Sequence, residues 1–204
     1  MTNSNVNNPF FWNSKYKNND DRWDIGKPTP IFKNWSSTFI NPQDIKICIP
    51  GCGNGHDAIF LANKGFNVYA FDFSKEAINN LNSKVENGFS IETFCIDFFN
   101  ISNDFYSYFD YILEYTFYCA ISPQKRSDYI SQCHRLLKKN GRIISIMLPI
   151  GGNIEKLVGP PFEVTKQELR SNFISKFKVI KIEKSNLSIK PRKDIELYAE
   201  YEKK

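Results

Sequence analysis

Apolar and polar positions change their period along the chain, and this change separates strands from helices. From Asp44 onward, short apolar runs typical of buried strands alternate with segments whose apolar residues recur every three or four positions, as on one face of a helix. The runs predict strands at residues 45–49, 68–71, 91–96, 109–113 and 142–148. The segments between them predict helices at residues 57–64, 74–85 and 123–140, the last ending at Asn140-Gly141.

The C-terminal part follows a different order. A loop rich in Gly and Pro at residues 151–161 precedes a short helix at 165–173, which begins with a capping-box pattern. Two strands, 177–183 and 195–201, then follow without a helix between them. Alternating strands and helices imply a parallel sheet with right-handed crossovers, and the two terminal strands imply an antiparallel edge. The sequence therefore predicts a single α/β domain with a doubly wound, mostly parallel sheet.

The residues before Asp44 do not share this alternation. Residues 1–9 are polar, and we expect them to be disordered. In the aromatic stretch that follows, Trp12 and Tyr16 are four positions apart and would share one face of a short helix. Gly26, Pro28 and Pro30 then predict a loop.

Composition narrows the function classes. The net charge of +5 is spread along the chain and gives little support to nucleic-acid binding. No apolar run approaches the about 20 residues that span a bilayer, and the first residues lack the pattern of a signal peptide. Five scattered cysteines without metal-type spacing indicate reduced thiols. We expect a cytoplasmic protein without a metal site or membrane contact, acting as a monomer or weak homodimer.

A glycine-rich loop at the end of the first predicted strand is the sharpest chemical signal. Its glycines, Gly51, Gly53 and Gly55, allow the backbone to approach a ligand closely. A dinucleotide fingerprint has its third glycine three residues after the second, but that position is His56 here. The spacing favours a ligand without pyrophosphate, such as S-adenosylmethionine.

Two acidic residues stand at the ends of the next two strands. Asp72 lies about 20 residues beyond the glycine loop, where a carboxylate can accept hydrogen bonds from both hydroxyls of a ribose. Alternatively, Asp72 could serve only to cap the helix that begins at Ser74. Asp97, followed by Phe98, could accept a hydrogen bond from an adenine amino group while the aromatic ring covers the base. Three strand ends with suitable groups predict a nucleoside pocket.

Five motifs in a fixed order resemble a known family. They are WDIGKPTP at 23–30, PGCGNGHD at 50–57, DFF at 97–99, YTFYCAI at 115–121 and GPPFEV at 159–164. Together they resemble the thiopurine S-methyltransferase superfamily, and within it most closely the branch of thiol, thiocyanate and halide methyltransferases. The match runs from about Phe11 to the C-terminus.

The resemblance implies a seven-stranded, Rossmann-like methyltransferase that uses S-adenosylmethionine without a metal. It also implies an N-terminal lid at residues 10–40. The cofactor-binding positions that it implies are Trp12, Tyr16, Trp23, Gly51, Gly53, Gly55, Asp72, Asp97, Phe98 and Tyr115. Two residues depart from the pattern: Tyr16 stands where Trp is more frequent, and Glu114 stands where the halide branch often has Asp.

The acceptor side is less defined. Arg126 matches a basic residue that contacts substrate in the thiopurine enzymes, and Tyr115 is a candidate catalytic residue near the methionine part of the cofactor. A further set of three aromatic residues and two prolines could form the acceptor pocket or simply fill the core: Phe117, Tyr118, Pro160, Pro161 and Phe162. Cys119 lies close to this set, where a buried, unreactive thiol is the simpler interpretation.

The leading hypothesis is methyl transfer to a small thiol, sulfide, thiocyanate or halide. A methyltransferase for nucleic acid or protein is a second possibility, although Glu114-Tyr115-Thr116-Phe117 differs from the motif of enzymes that methylate DNA amino groups. A protein that binds S-adenosylmethionine without catalysis is a third, and an NAD-dependent dehydrogenase is disfavoured by the glycine spacing.

Overall fold

Seven strands form one sheet in the order β3-β2-β1-β4-β5-β7-β6. The computed structural model describes residues 6–148 and 159–204. Its strands are β1 (Lys46–Pro50), β2 (Asn67–Asp72), β3 (Ile91–Cys95), β4 (Phe109–Tyr115), β5 (Leu137–Met147), β6 (Phe177–Lys184) and β7 (Leu197–Lys203).

Strands β1 to β5 are parallel, and the C-terminal pair reverses the pattern. β7 runs antiparallel to β5, and the edge strand β6 runs antiparallel to β7. The predicted doubly wound, mostly parallel sheet with an antiparallel edge is therefore confirmed. The strand order reverses beside β1, since its neighbours are β2 and β4, and a ligand cleft is expected at the carboxyl ends of strands at such a point.

The sheet is buried on both faces, with strand residues alternating between two cores. On one face, Ile47 and Val68 pack with apolar residues of the helices before and after β1. On the other face, Cys48 and Tyr69 join a core that includes Phe173. This arrangement explains why the strands read as nearly continuous apolar runs.

Six α-helices cover these faces in the described part of the chain. They are α1 (Pro9–Lys17), α2 (Pro30–Ser36), α3 (His56–Asn63), α4 (Lys75–Asn82), α5 (Arg126–Leu136) and α6 (Lys166–Phe173). No helix among the described residues is long and apolar enough to cross a membrane.

The predicted boundary between α5 and β5 was wrong. The helix ends at Leu136 instead of Asn140, and β5 already begins at Leu137. Asn140 has a positive φ of 63°, and the register between β4 and β5 shifts nearby. Asn140-Gly141 therefore forms an irregularity within the strand, although the same dipeptide also fits the end of a helix.

The N-terminal part is more ordered than predicted. Residues 1–5 and 149–158, the latter with much of the predicted Gly/Pro loop, lie outside the described residues. Val6, expected to be disordered, is buried, and its carbonyl accepts a hydrogen bond from Trp12 Nε1 at 2.8 Å. The predicted loop is present from Gly26 to Thr29, but Pro30 already belongs to α2, because its missing N–H costs nothing in the first helical turn.

Candidate active site

A cavity of about 830 Å³ lies at the carboxyl ends of the central strands, beneath the lid (residues 10–40). It gathers all ten residues that the sequence predicted to bind a cofactor: Trp12, Tyr16, Trp23, Gly51, Gly53, Gly55, Asp72, Asp97, Phe98 and Tyr115. Arg126 is not among the residues that line it.

The glycine loop at 51–55 needs glycine for two separate reasons. Gly51 and Gly53 have φ values of 58° and 54°, a left-handed backbone that residues with a side chain rarely adopt. A Cβ at Gly51 would also lie 2.3 Å from the Phe117 ring, and one at Gly53 would lie 2.9 Å from the Tyr16 hydroxyl. Side chains here would therefore push aside the rings that wall the cavity.

Asp72 connects this loop to the next helix. One carboxylate oxygen accepts a hydrogen bond from the Gly53 N–H at 3.0 Å, and the other accepts from the Ser74 N–H at 2.8 Å. Burial raises the pKa of this carboxyl to about 6. Each carboxylate oxygen has a further lone pair, so Asp72 retains capacity to accept hydrogen bonds from a ligand.

The chemical groups follow the order of the strands along the sheet edge. Asp97 follows β3, Asp72 ends β2, the glycine loop follows β1, and Tyr115 ends β4. Neighbouring strands are about 4.8 Å apart, so this row extends over about 14 Å. Asp97 Oδ1 accepts from the Phe99 N–H at 3.0 Å, and its Oδ2 has no hydrogen-bond partner among the described residues. The row could hold an extended nucleoside with a polar tail.

Three aromatic rings of the lid close the cavity. The Trp23 ring makes edge contacts with Trp12 and Tyr16, with ring centroids 5.3 Å and 5.6 Å away. Tyr16 is buried, and its hydroxyl is 3.4 Å from Trp23 Nε1. Since aromatic faces attract cations, these rings could stabilise a positively charged ligand.

Polar contacts that the sequence did not predict join the lid to the rest of the domain. Asn13 Oδ1 accepts hydrogen bonds from Ser74 Oγ at 2.8 Å and the Glu76 N–H at 3.3 Å. Asp24 Oδ2 accepts from Asn54 Nδ2, within the glycine loop, at 2.5 Å. The lid is therefore joined to α4 and to the glycine loop.

A second pair of hydrogen bonds joins the lid to α3. Asp57 accepts hydrogen bonds from both the backbone and the hydroxyl of Thr29, at 2.6 Å and 2.7 Å. His56, beside it, lies 3.2 Å from Asp24. The histidine of the glycine loop is thus engaged with the lid.

Arg192 also lines the cavity, although the sequence did not single it out. Its guanidinium donates hydrogen bonds to the Tyr115 hydroxyl and, at 2.6 Å, to the Trp23 carbonyl. Tyr115 in turn donates to Glu196 at 2.9 Å. Burial and the negative charge of Glu196 hold the pKa of the Tyr115 hydroxyl well above its ordinary value. Tyr115 is therefore a neutral phenol poorly suited to act as a base.

Arg126 has a different environment from the one predicted. Its guanidinium donates to Glu168 of α6 at 2.5 Å and to the Glu163 carbonyl at 3.1 Å. The same group lies over the Tyr118 ring, 5.0 Å from the centroid. These contacts join α5 to α6 and to the loop before it, away from the cavity.

The loop after β4 contributes Thr116 and Phe117 to the wall of the cavity. Glu114, fully buried, accepts hydrogen bonds from Ser145 and, at 2.7 Å, from the Tyr118 N–H. Burial raises the pKa of Glu114 to about 7. Thr116 has a φ of 63°, which turns the chain sharply at the strand end. The first residues of the loop are thereby fixed against the sheet.

Only part of the predicted acceptor set reaches the cavity. Phe117, Pro160 and Pro161 line it, whereas Tyr118 is buried in the core and Phe162 is not part of the wall. Cys119 lines the cavity, but burial raises the pKa of its thiol to about 12. Within residues 6–148 and 159–204, no group of three His, Cys, Asp or Glu side chains could hold a metal ion.

The fold is shared with solved methyltransferases. The 1,6-didemethyltoxoflavin-N1-methyltransferase of Burkholderia thailandensis superimposes with a TM-score of 0.72 at 16% identity, covering 96% of this chain and 86% of that one. At 16% identity this similarity shows the fold alone, a Rossmann-like α/β sheet.

Sequence comparison defines the family. The family model described as thiopurine S-methyltransferase matches residues 7–200. A probable thiol methyltransferase 2 of Arabidopsis thaliana is 32% identical, and the thiocyanate methyltransferase 1 of the same plant is 27% identical. Both alignments cover 94% of this chain and 84% of the relative. The chain belongs to the thiopurine S-methyltransferase family, as its motifs predicted.

Replacing each arginine by Gln should affect a different property: cofactor affinity for Arg192 and stability of the fold for Arg126. Arg192→Gln removes the link between the lid and Tyr115, so we expect cofactor affinity to fall about tenfold, the loss of roughly one charged hydrogen bond. Arg126→Gln removes a charge-assisted hydrogen bond from a mostly buried ion pair, so we expect a loss of about 1.5–3 kcal/mol in unfolding free energy with affinity nearly unchanged. Calorimetric titration with S-adenosylhomocysteine and thermal melting measure both; a larger affinity loss in Arg126→Gln would contradict the assignment.

Proposed function

We propose that this methyltransferase transfers the methyl group of S-adenosylmethionine to the sulfur of a small thiol, sulfide or thiocyanate. The observation that carries the proposal is the row of groups along the sheet edge, which ends at β4 beside an aromatic and proline wall. The names of the relatives support sulfur as the accepting atom. Iodide and other polarisable halides fit the same wall and belong to the proposed acceptor range.

The residues present fit the cofactor in a defined direction. Asp72 would accept hydrogen bonds from the ribose hydroxyls, and Asp97 with Phe98 would hold the adenine over β3. The glycine loop would approach the middle of the ligand, since no Cβ blocks it. This direction places the methionine part beside Tyr115 and beneath the lid.

The protein's contribution to transfer is alignment and exclusion of water. S-adenosylmethionine, when bound, would supply a methyl group activated by its sulfonium charge. The acceptor would provide the electron pair of the new bond, and the sulfur of the cofactor would keep the pair of the broken one. Trp12, Tyr16 and Trp23 would stabilise the positive charge before transfer. Phe117 and Pro160 would strip water from the acceptor and hold it in line with the methyl carbon.

The acceptor would have to arrive already ionised. Tyr115 and Cys119, the two lining groups closest in sequence to the proposed acceptor wall, both have raised pKa values and remain protonated at neutral pH. Thiolates, bisulfide, thiocyanate and halides meet this requirement without a base. We therefore propose Tyr115 as a positioning residue for the lid and cofactor, held by Arg192 and Glu196.

The proposal includes a reducing, cytosolic setting and a monomer or weak homodimer. All five cysteines are free, which fits a reducing setting.

Replacing Asp72 tests the proposed ribose contact. Asp72→Asn should weaken S-adenosylhomocysteine binding about 10- to 100-fold, since hydrogen bonds to a charged acceptor are worth about 1.5–3 kcal/mol. Because the pKa of Asp72 is about 6, wild-type affinity should also fall as the pH drops from about 8 through 6, where the carboxylate becomes protonated. Isothermal titration at several pH values measures both effects.

The control for this titration is the exposed surface variant Asp104→Asn. It should keep both the wild-type affinity and its pH dependence. The affinity of Asp72→Asn for S-adenosylhomocysteine should change less with pH. Equal affinity of Asp72→Asn and wild type would rule out the ribose contact.

A panel of acceptors tests the reaction. S-adenosylhomocysteine release is measured with bisulfide, thiocyanate, iodide, an aryl thiol and a thiopurine. We expect turnover with sulfur anions, and among thiols a rate that rises with pH as the free thiol ionises. Binding of cofactor without turnover of any member would contradict the proposed acceptor class; methylation of nucleic acid or protein from a lysate would replace it.

A further inference from the structure

A second cleft opens beside the main cavity, between the lid and the turn that precedes β7. Its volume is about 520 Å³, and its walls come from residues 22–27 and from 189–192. It shares six lining residues with the main cavity: Arg22, Asp24, Ile25, Lys27, Pro191 and Arg192. The two cavities therefore adjoin along these residues.

The cleft has an excess of positive charge. Arg22, Lys27 and Lys190 are exposed there, and neither lysine forms an ion pair with any described residue. Asp24 is the one acidic side chain among its lining residues. Its carboxylate accepts hydrogen bonds from Asn54 and the Gly26 N–H and contacts His56, and it forms no ion pair with either lysine among the described residues. With the charge of Asp24 counted, cationic side chains are still in excess in the lining of the cleft.

The guanidinium of Arg192 is not available to bind a ligand in this cleft. Its guanidinium is committed to the Tyr115 hydroxyl and the Trp23 carbonyl, and Glu196 lies 3.7 Å away. Arg22 is paired with Asp20 at 3.3 Å, so Lys27 and Lys190, one on each side of the cleft, are the unpaired cations available to a ligand among the described residues.

The space between these lysines is apolar. Ile25, Ile189 and Pro191 contribute to its walls, and Ile195 adds a partly exposed apolar surface in the main cavity. Apolar walls with cations at the rim suit an organic anion better than a strongly hydrated inorganic ion, because an apolar wall cannot replace the water of the latter.

We propose that this cleft is a second binding subsite, which recognises a carboxylate carried by an organic thiol whose sulfur lies in the main cavity. The subsite rests on the proposed function, because it assumes that the main cavity receives sulfur. Lys27 and Lys190 would select the acid over a neutral acceptor of the same shape. The preferred acceptor is then an acidic organic thiol, beyond the small inorganic anions.

The test uses product-like thioethers, so that binding is measured without turnover. 4-(Methylthio)benzoate and 4-(methylthio)benzamide have the same shape and differ in charge. Each is titrated by calorimetry into the protein saturated with S-adenosylhomocysteine. We expect the benzoate to bind about three- to tenfold tighter, a preference that shrinks as salt rises from about 0.02 M to about 0.3 M.

The double variant Lys27→Gln/Lys190→Gln should remove this preference for the benzoate. The matched control is Lys166→Gln/Lys178→Gln, which removes the same charge from exposed positions on α6 and β6 outside both cavities. Equal affinity for the two thioethers, or a preference that survives in the Lys27/Lys190 variant, would overturn the subsite.

Turnover is measured separately, with 4-mercaptobenzoate and 4-mercaptobenzamide as acceptors. If both are methylated at equal efficiency and the thioethers bind equally, the proposed function stands and the subsite is wrong. If neither is methylated while the benzoate preference depends on the two lysines, the cleft binds carboxylates as proposed, but the proposed sulfur acceptor is wrong.

Discussion

The site depends on the hydrogen bonds that the Asp72 carboxylate makes with two backbone N–H groups. One lies in the glycine loop and the other at the start of α4, so a single side chain sets the spacing between them. Ser74, at the second position, donates through its hydroxyl to Asn13 of the lid. The glycine loop, α4 and the lid are thereby connected by hydrogen bonds at the end of β2, where the proposed ribose contact lies.

The distribution of charge divides the site into two functional ends. The buried Asp72 and the half-buried Asp97 lie at the ends of β2 and β3, where a nucleoside would offer hydroxyl and amino donors. Exposed lysines lie at the opening beside the turn before β7. Burial of Asp72 raises its pKa and so costs free energy that a solvated carboxylate would not. Such a cost is typical of groups placed for binding a ligand.

Much of the fold was predictable because local patterns and tertiary structure agree. The inner strands β1, β2 and β4 are mostly buried on both faces, so each appears in the sequence as an apolar run. The spacing of its glycines identified the glycine loop. The errors in the predicted element boundaries arose where a residue or dipeptide is compatible with two local structures. Asn140-Gly141 fits both a helix end and a strand irregularity, and Pro30 fits both a loop and a first helical turn.

The arginines show what sequence cannot supply. Arg126 stands near the loop after β4 in the sequence, but its side of α5 faces α6. Arg192, in a stretch that reads as a solvated lysine-rich turn, is buried by contacts with residues about 80 and 170 positions away. Only the tertiary structure reveals that it joins Tyr115 to the lid, since the sequence pattern carries no signal for such distant contacts.

The most direct test of this account is a crystal structure of the complex with S-adenosylhomocysteine. We predict that both ribose hydroxyls lie within hydrogen-bond distance of Asp72, that the adenine lies beside Asp97 and Phe98, and that the sulfur points toward the wall containing Phe117. A ligand bound in the reverse direction, or outside the lid-covered cavity, would contradict the account.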